Sequence, residues 1–456
     1  MIAEQSVEIL AAPRPTTVNQ RIFRAGASVV AAGVVVKIGA TCKEVVVAAA
    51  YGRSDVLDAF LVAFLIPNLL INLIAESMNQ ALIPTLIRVR LQQGHARAQE
   101  LLSHSMLSML GMLAAATAGM GLLARAFFPL IASNFAPSKL DLAIRLFYLL
   151  LPCVVMGGIA SNCTAVLNTL NRFALPALAP LVIPLSIVAA TLLLQRTMGI
   201  WALAAGTLAG TALHAGIVGT WMDSQGYAFR LRWYGRNEDT REVAHQFGPV
   251  LLSSVVASGG LLVDQAMAAM LPAGSVSALV FGGRFVGVVL TLLAGAISST
   301  LAPHFSTLVA EKDWTGCRAT LRTWTLRTAL ISTPIAVALI GGSHILVRIT
   351  LQHGAFASRD TAVVATVLAM YAIQIPFFTA SRVFYRFVVA MRRTDLVLYC
   401  GVINLVLDIV LNLVLMRWMG VAGIALATSL WSIGTFLFLG FWTNKLLSAA
   451  TAERSS

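Results

Sequence analysis

Residues 57–84 read LDAFLVAFLIPNLLINLIAESMNQALIP, and within this run only Asp58 and Glu76 carry a charge. A helix of about 20 mostly apolar residues is long enough to cross the hydrocarbon core of a bilayer. Pro67 is compatible with such a helix, because neighbouring helices and side chains satisfy the backbone groups that a proline frees. The run therefore predicts a transmembrane helix, with a kink near its proline.

The rest of the chain has the same apolar character. Apolar residues make up 58% of its 456 positions and charged residues 11%, against roughly 25% charged in soluble domains. Soluble cores stop growing near ~250–300 residues, so this much apolar surface needs a bilayer. The first 20 residues are polar and contain Pro13 and Pro15. They do not resemble a removable signal peptide, so the first apolar run is expected to remain as an anchor.

Twelve apolar runs are long enough to span a membrane, which predicts an all-α, polytopic membrane protein. They cover about residues 22–50, 57–84, 101–124, 142–167, 176–196, 199–221, 247–271, 277–303, 321–347, 361–385, 395–416 and 420–444. Pro67, Pro152 and Pro376 are expected to kink their helices. The longest polar interval, Met222–Gln246, leaves no room for an extramembrane catalytic domain.

The net charge of +13 is distributed as in a membrane protein. With twelve spans, the loops on the side of the termini carry 19 Lys and Arg residues, and the opposite loops carry 7. Because cytoplasmic loops are enriched in these residues, both termini are predicted to be cytoplasmic. The basic loop Arg230–Arg241 also contains acids, which suits a solvated loop near anionic headgroups. Membrane lipids rather than nucleic acid are the expected partner of these charges.

The two halves of the chain match at a nearly constant offset. Residues 79–84 align with 298–303 at an offset of 219, residues 167–172 with 388–393 at 221, and 198–207 with 419–428 at 221. Six helices separate corresponding positions, so the halves share one orientation. Parallel repeats with a substrate site between them are a transporter architecture. The predicted division is a cytoplasmic tail 1–21, an N-lobe 22–221, a linker loop 222–246, a C-lobe 247–444 and a cytoplasmic tail 445–456.

Three cations lie well inside the predicted spans. A Lys or Arg at a helix centre costs about 2.5–3.5 kcal/mol on insertion, and such residues usually face a cavity or a partner. Lys37, Lys43 and Arg284 are therefore candidates to line a cavity between the lobes. The alternative is structural pairing, of Lys43 with Glu44 or Asp58 and of Arg284 with Asp264. Nearer the span ends, where side chains snorkel to the interface, lie Arg145, Arg327 and Arg382.

Acidic residues also fall within the apolar runs. Asp58, Asp264 and Asp408 are candidates either for binding a coupling cation, H⁺ or Na⁺, or for structural pairing. Hydrogen bonding between helices is the expected role of Glu76 and of its amide neighbours Asn68, Asn72, Asn79 and Gln80.

Motifs for enzymatic chemistry or a resident cofactor are missing from the sequence. It contains no Walker sequence, zinc-ligand spacing or nucleophile elbow. The five cysteines form no CxxC pair and the seven histidines no paired spacing. We therefore expect neither an enzyme nor a metal centre, and no cofactor beyond a coupling cation.

Several strings identify a family. They are Leu57–Phe60 (LDAF), Val62–Phe64 (VAF), Ile66–Leu70 (IPNLL), Ala75-Glu76, Leu167–Thr169 (LNT) with Asn171–Phe173 (NRF), Gly248-Pro249, Gly274–Ser277 (GSVS) with Arg284, and Gln352–Phe356 (QHGAF). With these strings the chain resembles the MurJ/MviN family from about Arg21 to Lys445. Members of this family are lipid II flippases, within a superfamily that includes drug and polysaccharide exporters.

The resemblance implies two six-helix lobes in the bacterial inner membrane, around a cationic cavity open alternately to either side. The family's cavity arginines fall on Lys37, Lys43 and Arg284, and its acid on the second span falls on Asp58. These three cations would bind the pyrophosphate of the substrate. Lysine keeps the charge but loses the bidentate fork that suits phosphate.

Two differences favour a saccharide other than lipid II. Ile71-Asn72 stand where lipid II flippases have an arginine pair, and the two further C-terminal helices of those flippases have no counterpart here. We therefore expect a flippase for an undecaprenyl-pyrophosphate-linked saccharide that feeds exopolysaccharide or another cell-envelope glycan, with glycan-synthesis enzymes as partners. A lipid II flippase for peptidoglycan synthesis is the nearest alternative. Others are an ion-coupled drug exporter, with a cavity rich in acids and aromatics, and a non-transporting scaffold.

Overall fold

The structure, a computed structural model, describes residues 18–455 except positions 171 and 236, and describes side chains for residues 32–451 apart from these two and residue 299. Most of the predicted tail 1–21, Asn171 of the family strings and Arg236 of the linker loop lie outside the described residues.

All regular structure in the described part is helical. The α-helices are α1 (Val18–Tyr51), α2 (Asp55–Leu70), α3 (Glu76–Gln93), α4 (His95–Ile131), α5 (Pro137–Leu150), α6 (Pro152–Thr169), α7 (Ala174–Leu178), α8 (Val182–Met198), α9 (Ile200–Ser224), α10 (Glu238–Ala269), α11 (Ser275–Ala310), α12 (Trp314–Leu351), α13 (Ser358–Ala372), α14 (Gln374–Ala390), α15 (Thr394–Met419) and α16 (Val421–Ser455).

The helices are those of a multi-pass membrane protein. Ten continuous helical segments of the described chain are long and apolar enough to span a membrane, and the bent pair α5–α6 makes eleven. These eleven coincide with the second to twelfth predicted spans. The remaining predicted span coincides with α1, whose crossing stays a prediction. The all-α, polytopic class is thus confirmed.

Four of the predicted spans contain an interruption, and in the fifth a 3₁₀ turn, Ala179–Leu181, joins α7 to α8. In the second, a π-helical turn, Ile71–Ala75, joins α2 to α3 four residues after Pro67. In the fourth, α5 and α6 meet at a 42° bend where Pro152 begins α6. In the tenth, α13 and α14 are separated at Ile373, three residues before Pro376. Proline removes a backbone donor and clashes with the preceding turn, which accounts for the breaks just before Pro152 and Pro376.

Local geometry recurs between the two halves at the offset seen in the sequence. Gly199, between α8 and α9, has φ 57° and ψ −131°, and Gly420, between α15 and α16, has φ 58° and ψ −135°. Such positive φ values are open to glycine at no steric cost. The break at Leu151 likewise corresponds to the break at Ile373. This repetition of turns and breaks is consistent with the predicted duplication.

At one end of the molecule, which we call the closed end, hydrogen bonds join several pairs of elements from the two lobes. This end carries the connections around residues 52–54, 132–136, 270–274 and 352–357. There the Ala355 N–H donates to the Ala49 carbonyl (2.8 Å) and Arg53 Nε to Asp360 (3.2 Å). Gly354 is required at this approach, because a Cβ there would collide with the Ala49 carbonyl. The closed end thus joins the lobes backbone to backbone.

The opposite end, where α1 begins and α16 ends, is called the open end. There the hydrogen bonds between described residues of different lobes join α3 to α10. Ser77 donates to Ser254 (2.9 Å), and Arg88 bonds Asp239 (3.0 Å) and Glu242. The other C-lobe helices make no hydrogen bond to the N-lobe at this end within the described chain. At the open end the hydrogen bonds of the described chain thus join the lobes through this helix pair alone.

Candidate functional site

A cavity of about 550 Å³ lies between the lobes, in the half of the molecule nearer the closed end. The N-lobe contributes Lys37 from α1 and Asn68 from α2, and the C-lobe contributes most of the wall from α10, α11, α13, α14 and α16. Its polar and aromatic lining comprises Lys37, Asn68, Asp264, Gln265, Arg284, Thr291, Tyr371, Gln374, Thr428 and Trp431. Two of the three predicted cations and one predicted acid thus share one cavity.

The geometry of α1 explains why Lys37 lines this cavity and Lys43 does not. Lys37 and Glu44 are seven residues apart, which places them on nearly the same helix face, about 10 Å apart along the axis. Lys43 is rotated by about 120° from Lys37. Accordingly Lys37 is exposed to the cavity, whereas the Lys43 side chain is only 21% exposed and bonds Glu44.

Glu44 is the buried carboxylate that ties the two lobes together beside the cavity. Its Oε1 atom lies 2.8 Å from Lys43 Nζ and accepts a bond from Arg284 Nη2 at 2.6 Å. The Lys43–Glu44 pairing is one that the sequence allowed. Structural pairing of Arg284 with Asp264 was the predicted alternative. Its partner was wrong, because Arg284 pairs with Glu44. A carboxylate at 5% exposure needs such compensation, since an uncompensated buried charge is strongly unfavourable.

Arg284 keeps hydrogen-bonding capacity beyond this pair. Its side chain is 41% exposed, and its Nε atom is buried with no acceptor among the described residues. A guanidinium carries five N–H donors, and Glu44 uses one of them. Arg284 can therefore hold Glu44 and still donate to an anion in the cavity.

A second polar cluster surrounds Asp264 on the C-lobe side of the cavity. Asp264 accepts bonds from Asn412 Nδ2 (2.7 Å) and Thr428 Oγ1 (3.2 Å), and Asp408 lies beside it. Both carboxylate oxygens of Asp408 are buried without a donor from the described chain. Two adjacent carboxylates with an amide and a hydroxyl are the oxygen-rich setting that H⁺ or a hard cation would satisfy.

Asp58 belongs to the closed end rather than to the cavity. Its two carboxylate oxygens accept the backbone N–H groups of Gly274 (2.7 Å) and Ser277 (2.8 Å) at the start of α11, and Lys139 Nζ lies 3.4 Å away. A carboxylate at a helix N-terminus is stabilised by the helix dipole and by the free amides. Asp58 is therefore 1% exposed, structurally paired, and remote from Lys43, its other predicted partner.

Several site residues were missed at the level of sequence. Asn68 was expected to bond another helix but lines the cavity, and Tyr371 and Thr428 carried no signal of their own. Asn412 could have been found, because it lies four residues after Asp408 and so on the same helix face. Arg382 was expected to snorkel, but its guanidinium lies over the Phe378 ring (4.3 Å). In the described chain no group of three or more His, Cys, Asp or Glu is arranged to hold a metal ion.

The amino-acid sequence matches one family over most of its length. A family model described as lipid II flippase MurJ matches residues 47–454. The lipid II flippase MurJ of Burkholderia cenocepacia is 28% identical over 364 residues, covering 77% of this chain and 70% of that protein. The probable lipid II flippase MurJ of Synechocystis is 26% identical over 421 residues, covering 88% and 78%.

Solved structures show the same fold. A structure titled lipid II flippase MurJ, inward closed conformation, superposes with a TM-score of 0.79 at 23% identity, covering 91% of this chain and 87% of that one. An inward-facing multidrug transporter of the MATE family superposes with a TM-score of 0.72 at 13% identity. The family model spans nearly the whole described chain, and its members are membrane transporters rather than enzymes. The chain belongs to the MurJ family of lipid flippases.

Proposed function

We propose that this protein moves lipid II, the lipid-linked precursor of peptidoglycan, from the cytoplasmic to the outer leaflet of the bacterial inner membrane. The observation that carries the proposal is the cavity between the lobes with Arg284 and Lys37 in its wall, in a chain of this family. The comparisons favour lipid II over the exopolysaccharide precursor that we expected first, because the family model and the similar proteins named above are described as lipid II flippases.

The cavity cations act on the pyrophosphate of the substrate. Lys37 offers a flexible point charge and Arg284 a planar donor set, and both favour a phosphate oxygen over water inside a partly enclosed site. Glu44 holds Arg284 in place and neutralises one positive charge, so the cavity attracts an anion without trapping it. The lipid tail stays in the bilayer while the headgroup occupies the cavity.

The open end faces the cytoplasm in this proposal. The loops at that end carry 19 of the loop cations against 7 at the closed end, as expected for a cytoplasmic face. The structure then corresponds to the state that receives substrate from the inner leaflet. Breaking the closed-end contacts and joining the lobes at the open end would release the headgroup on the far side.

The cluster of Asp264, Asp408, Asn412 and Thr428 couples this movement to a cation in our proposal. A proton or Na⁺ bound there would satisfy the two buried oxygens of Asp408. Asp264 and Thr428 also line the substrate cavity. The same side chains would therefore contact both the coupling cation and the substrate.

Reconstitution tests the choice of substrate. Purified protein in liposomes is given fluorescent lipid II or an undecaprenyl-pyrophosphate-linked exopolysaccharide unit in one leaflet, and loss of the label to a membrane-impermeant quencher is followed. Faster exchange of lipid II than in protein-free liposomes, with little exchange of the other lipid, supports the proposal. Exchange of the exopolysaccharide unit alone contradicts it. Export of a cationic drug by protein that moves neither lipid would favour the drug-exporter alternative, whose fold is shared.

A further inference from the structure

A second cationic pocket, of about 480 Å³, lies between α11 and α14 near the open end. We call it the α11–α14 pocket. Its lining contains two arginines, Arg386 and Arg392, and no carboxylate, and it is completed by Ala302, Ser306, Val309, Ala310, Val389 and Ala390. One wall is thus cationic and the other apolar, a combination that a headgroup at the edge of a bilayer fits better than a soluble anion does.

The floor of this pocket is rigid. Phe305 and Phe387, adjacent in sequence to Ser306 and Arg386, are buried and meet edge to face with ring centroids 5.7 Å apart. They belong to an apolar cluster with Leu301 and Val383. The position of Arg386 relative to Ser306 is therefore fixed by packing, as a binding site requires.

Arg386 and Arg392 have no carboxylate partner in the described part of the chain. The Nε atom of Arg386 is buried with no acceptor from the described residues. An arginine kept only for solvation, or for the negative end of the α14 dipole, would have its nitrogens in water or on carbonyl oxygens. The Arg386 guanidinium lies over the Tyr385 ring (5.7 Å), but no carboxylate of the described chain neutralises its charge, which favours an anionic ligand in the pocket.

The backbone is strained at Arg392, which lines the α11–α14 pocket. Arg392 has φ 58°, at the point where α14 is closed by bonds from the Arg392 N–H to Val389 O and from the Arg393 N–H to Val388 O. Glycine is strongly preferred at this left-handed position of a helix end. An arginine there is unfavourable for folding, as is Lys312 at φ 55° after α11, and the Arg392 side chain lines the pocket.

The pocket and the cavity between the lobes lie along the same face of α11. An α-helix returns to the same face after 18 residues, so Ala302 is on the face of α11 that carries Arg284, about 27 Å nearer the open end. Basic pockets between membrane helices on the cytoplasmic side are typical binding places of anionic lipid headgroups.

We propose that the α11–α14 pocket binds the phosphate group of an anionic membrane lipid through Arg386 and Arg392. The lipid is either a bulk anionic phospholipid or the pyrophosphate-bearing carrier lipid, since both present the same phosphate chemistry. The site stands beyond the proposed function, because it binds such a lipid whether or not the lipid is then carried across.

Native mass spectrometry of the full chain in detergent tests this site by titration with phosphatidylglycerol, undecaprenyl pyrophosphate or zwitterionic phosphatidylcholine. The test variant is Arg386→Ala with Arg392→Gly. The glycine relieves the backbone strain, so a lower unfolding temperature is not expected from that change. Arg386→Lys retains the charge and should retain binding. Arg97→Ala, which removes a cation paired with Glu100 on α4 near the same end, is the matched control.

We expect the double variant to bind at least one of the two anionic lipids about tenfold more weakly than wild type, as loss of a charge-assisted hydrogen bond predicts. Binding of phosphatidylcholine and of lipids to the control should be unchanged. A loss confined to phosphatidylglycerol identifies a bulk phospholipid as the ligand, and one confined to undecaprenyl pyrophosphate identifies the carrier. If the double variant binds both anionic lipids with wild-type affinity, the α11–α14 pocket does not bind their phosphate groups. That result leaves the proposed function standing, because the latter is measured by exchange of lipid II.

Discussion

At the level of single residues, the sequence identified the cations at and beside the cavity and the Lys43–Glu44 pair, but not the partner of Arg284. Lys37, Lys43 and Arg284 stand out because cations are rare inside apolar helices. The contact of Arg284 with Glu44 spans 240 positions, and no local pattern encodes a pair made across two lobes. The bond of Asn412 to Asp264 was not predicted either, although the spacing of Asn412 from Asp408 places both on one helix face.

Arg284→Ala should lower lipid II exchange by at least about tenfold while the protein stays folded, because Lys43 still compensates Glu44. Exchange in liposomes and the unfolding temperature are the two measurements. The paired variant Arg284→Ala with Glu44→Gln distinguishes the roles. If it exchanges lipid II at the wild-type rate, Arg284 is a structural ion and not a substrate ligand.

Asp408→Asn should remove the dependence of exchange on the coupling cation, since the side chain keeps its size and loses its charge. The exchange rate is measured against Na⁺ concentration at fixed pH, and against pH at fixed Na⁺. Asp141→Asn, which changes an acid paired with Arg145 on α5, is the control and should respond as wild type does. An unchanged dependence in the Asp408 variant would remove this residue from coupling.

At the level of elements, apolar run length predicted the helices well, and prolines indicated their breaks. The bend before Pro152 and the interruption before Pro376 follow from the missing amide donor. The π turn at Ile71–Ala75 carried no such signal, because it depends on packing. Its Ile71 side chain sits against Gly157, where a Cβ would clash. Contacts of this kind become visible only when two helices are placed together.

Asp58→Asn should weaken the closed end, because the amide keeps the volume but loses the charge and one of the two acceptors for the α11 amides. A hydrogen bond to a charged group contributes roughly 1.5–3 kcal/mol, enough to shift a two-state equilibrium by about tenfold or more. Spin labels at Ser138 and Ala273, which line one closed-end pocket, report the distance between the lobes in a cysteine-free background. A broader and longer distance distribution is expected for the variant. A distribution identical to wild type would show that Asp58 does not hold this end shut.

At the level of the whole molecule, the sequence duplication predicted two lobes with a site between them, and turns recur at Gly199 and Gly420 as that duplication requires. Which end is closed could not be predicted. Alternate states of a transporter share one sequence and differ by the movement of rigid lobes, so the pattern of apolar runs is the same in both. The closed end is identified by the bond that Arg53 donates to Asp360 and the bond that Asp58 accepts from Gly274.

The membrane orientation is tested by cysteine labelling in whole cells. Arg232→Cys, in the loop between the lobes, and Ala273→Cys, at the closed end, are both exposed positions. A membrane-impermeant maleimide should reach Cys at 273 in intact cells and Cys at 232 only after the membrane is opened, because cytoplasmic loops are enriched in Lys and Arg. Labelling of both cysteines from the same side of the membrane would contradict the predicted topology.

The central claim is that cations in the cavity between the lobes bind the substrate pyrophosphate, and exchange of fluorescent lipid II by matched charge variants tests it most directly. Lys37→Ala with Arg284→Ala removes both cavity cations, whereas Arg145→Ala removes a 68% exposed cation paired with Asp141 outside the cavity. We predict that the double cavity variant, inserted at the wild-type level, exchanges lipid II no faster than protein-free liposomes, and that the Arg145 variant exchanges it normally. Wild-type exchange by a well-folded double cavity variant would contradict the account.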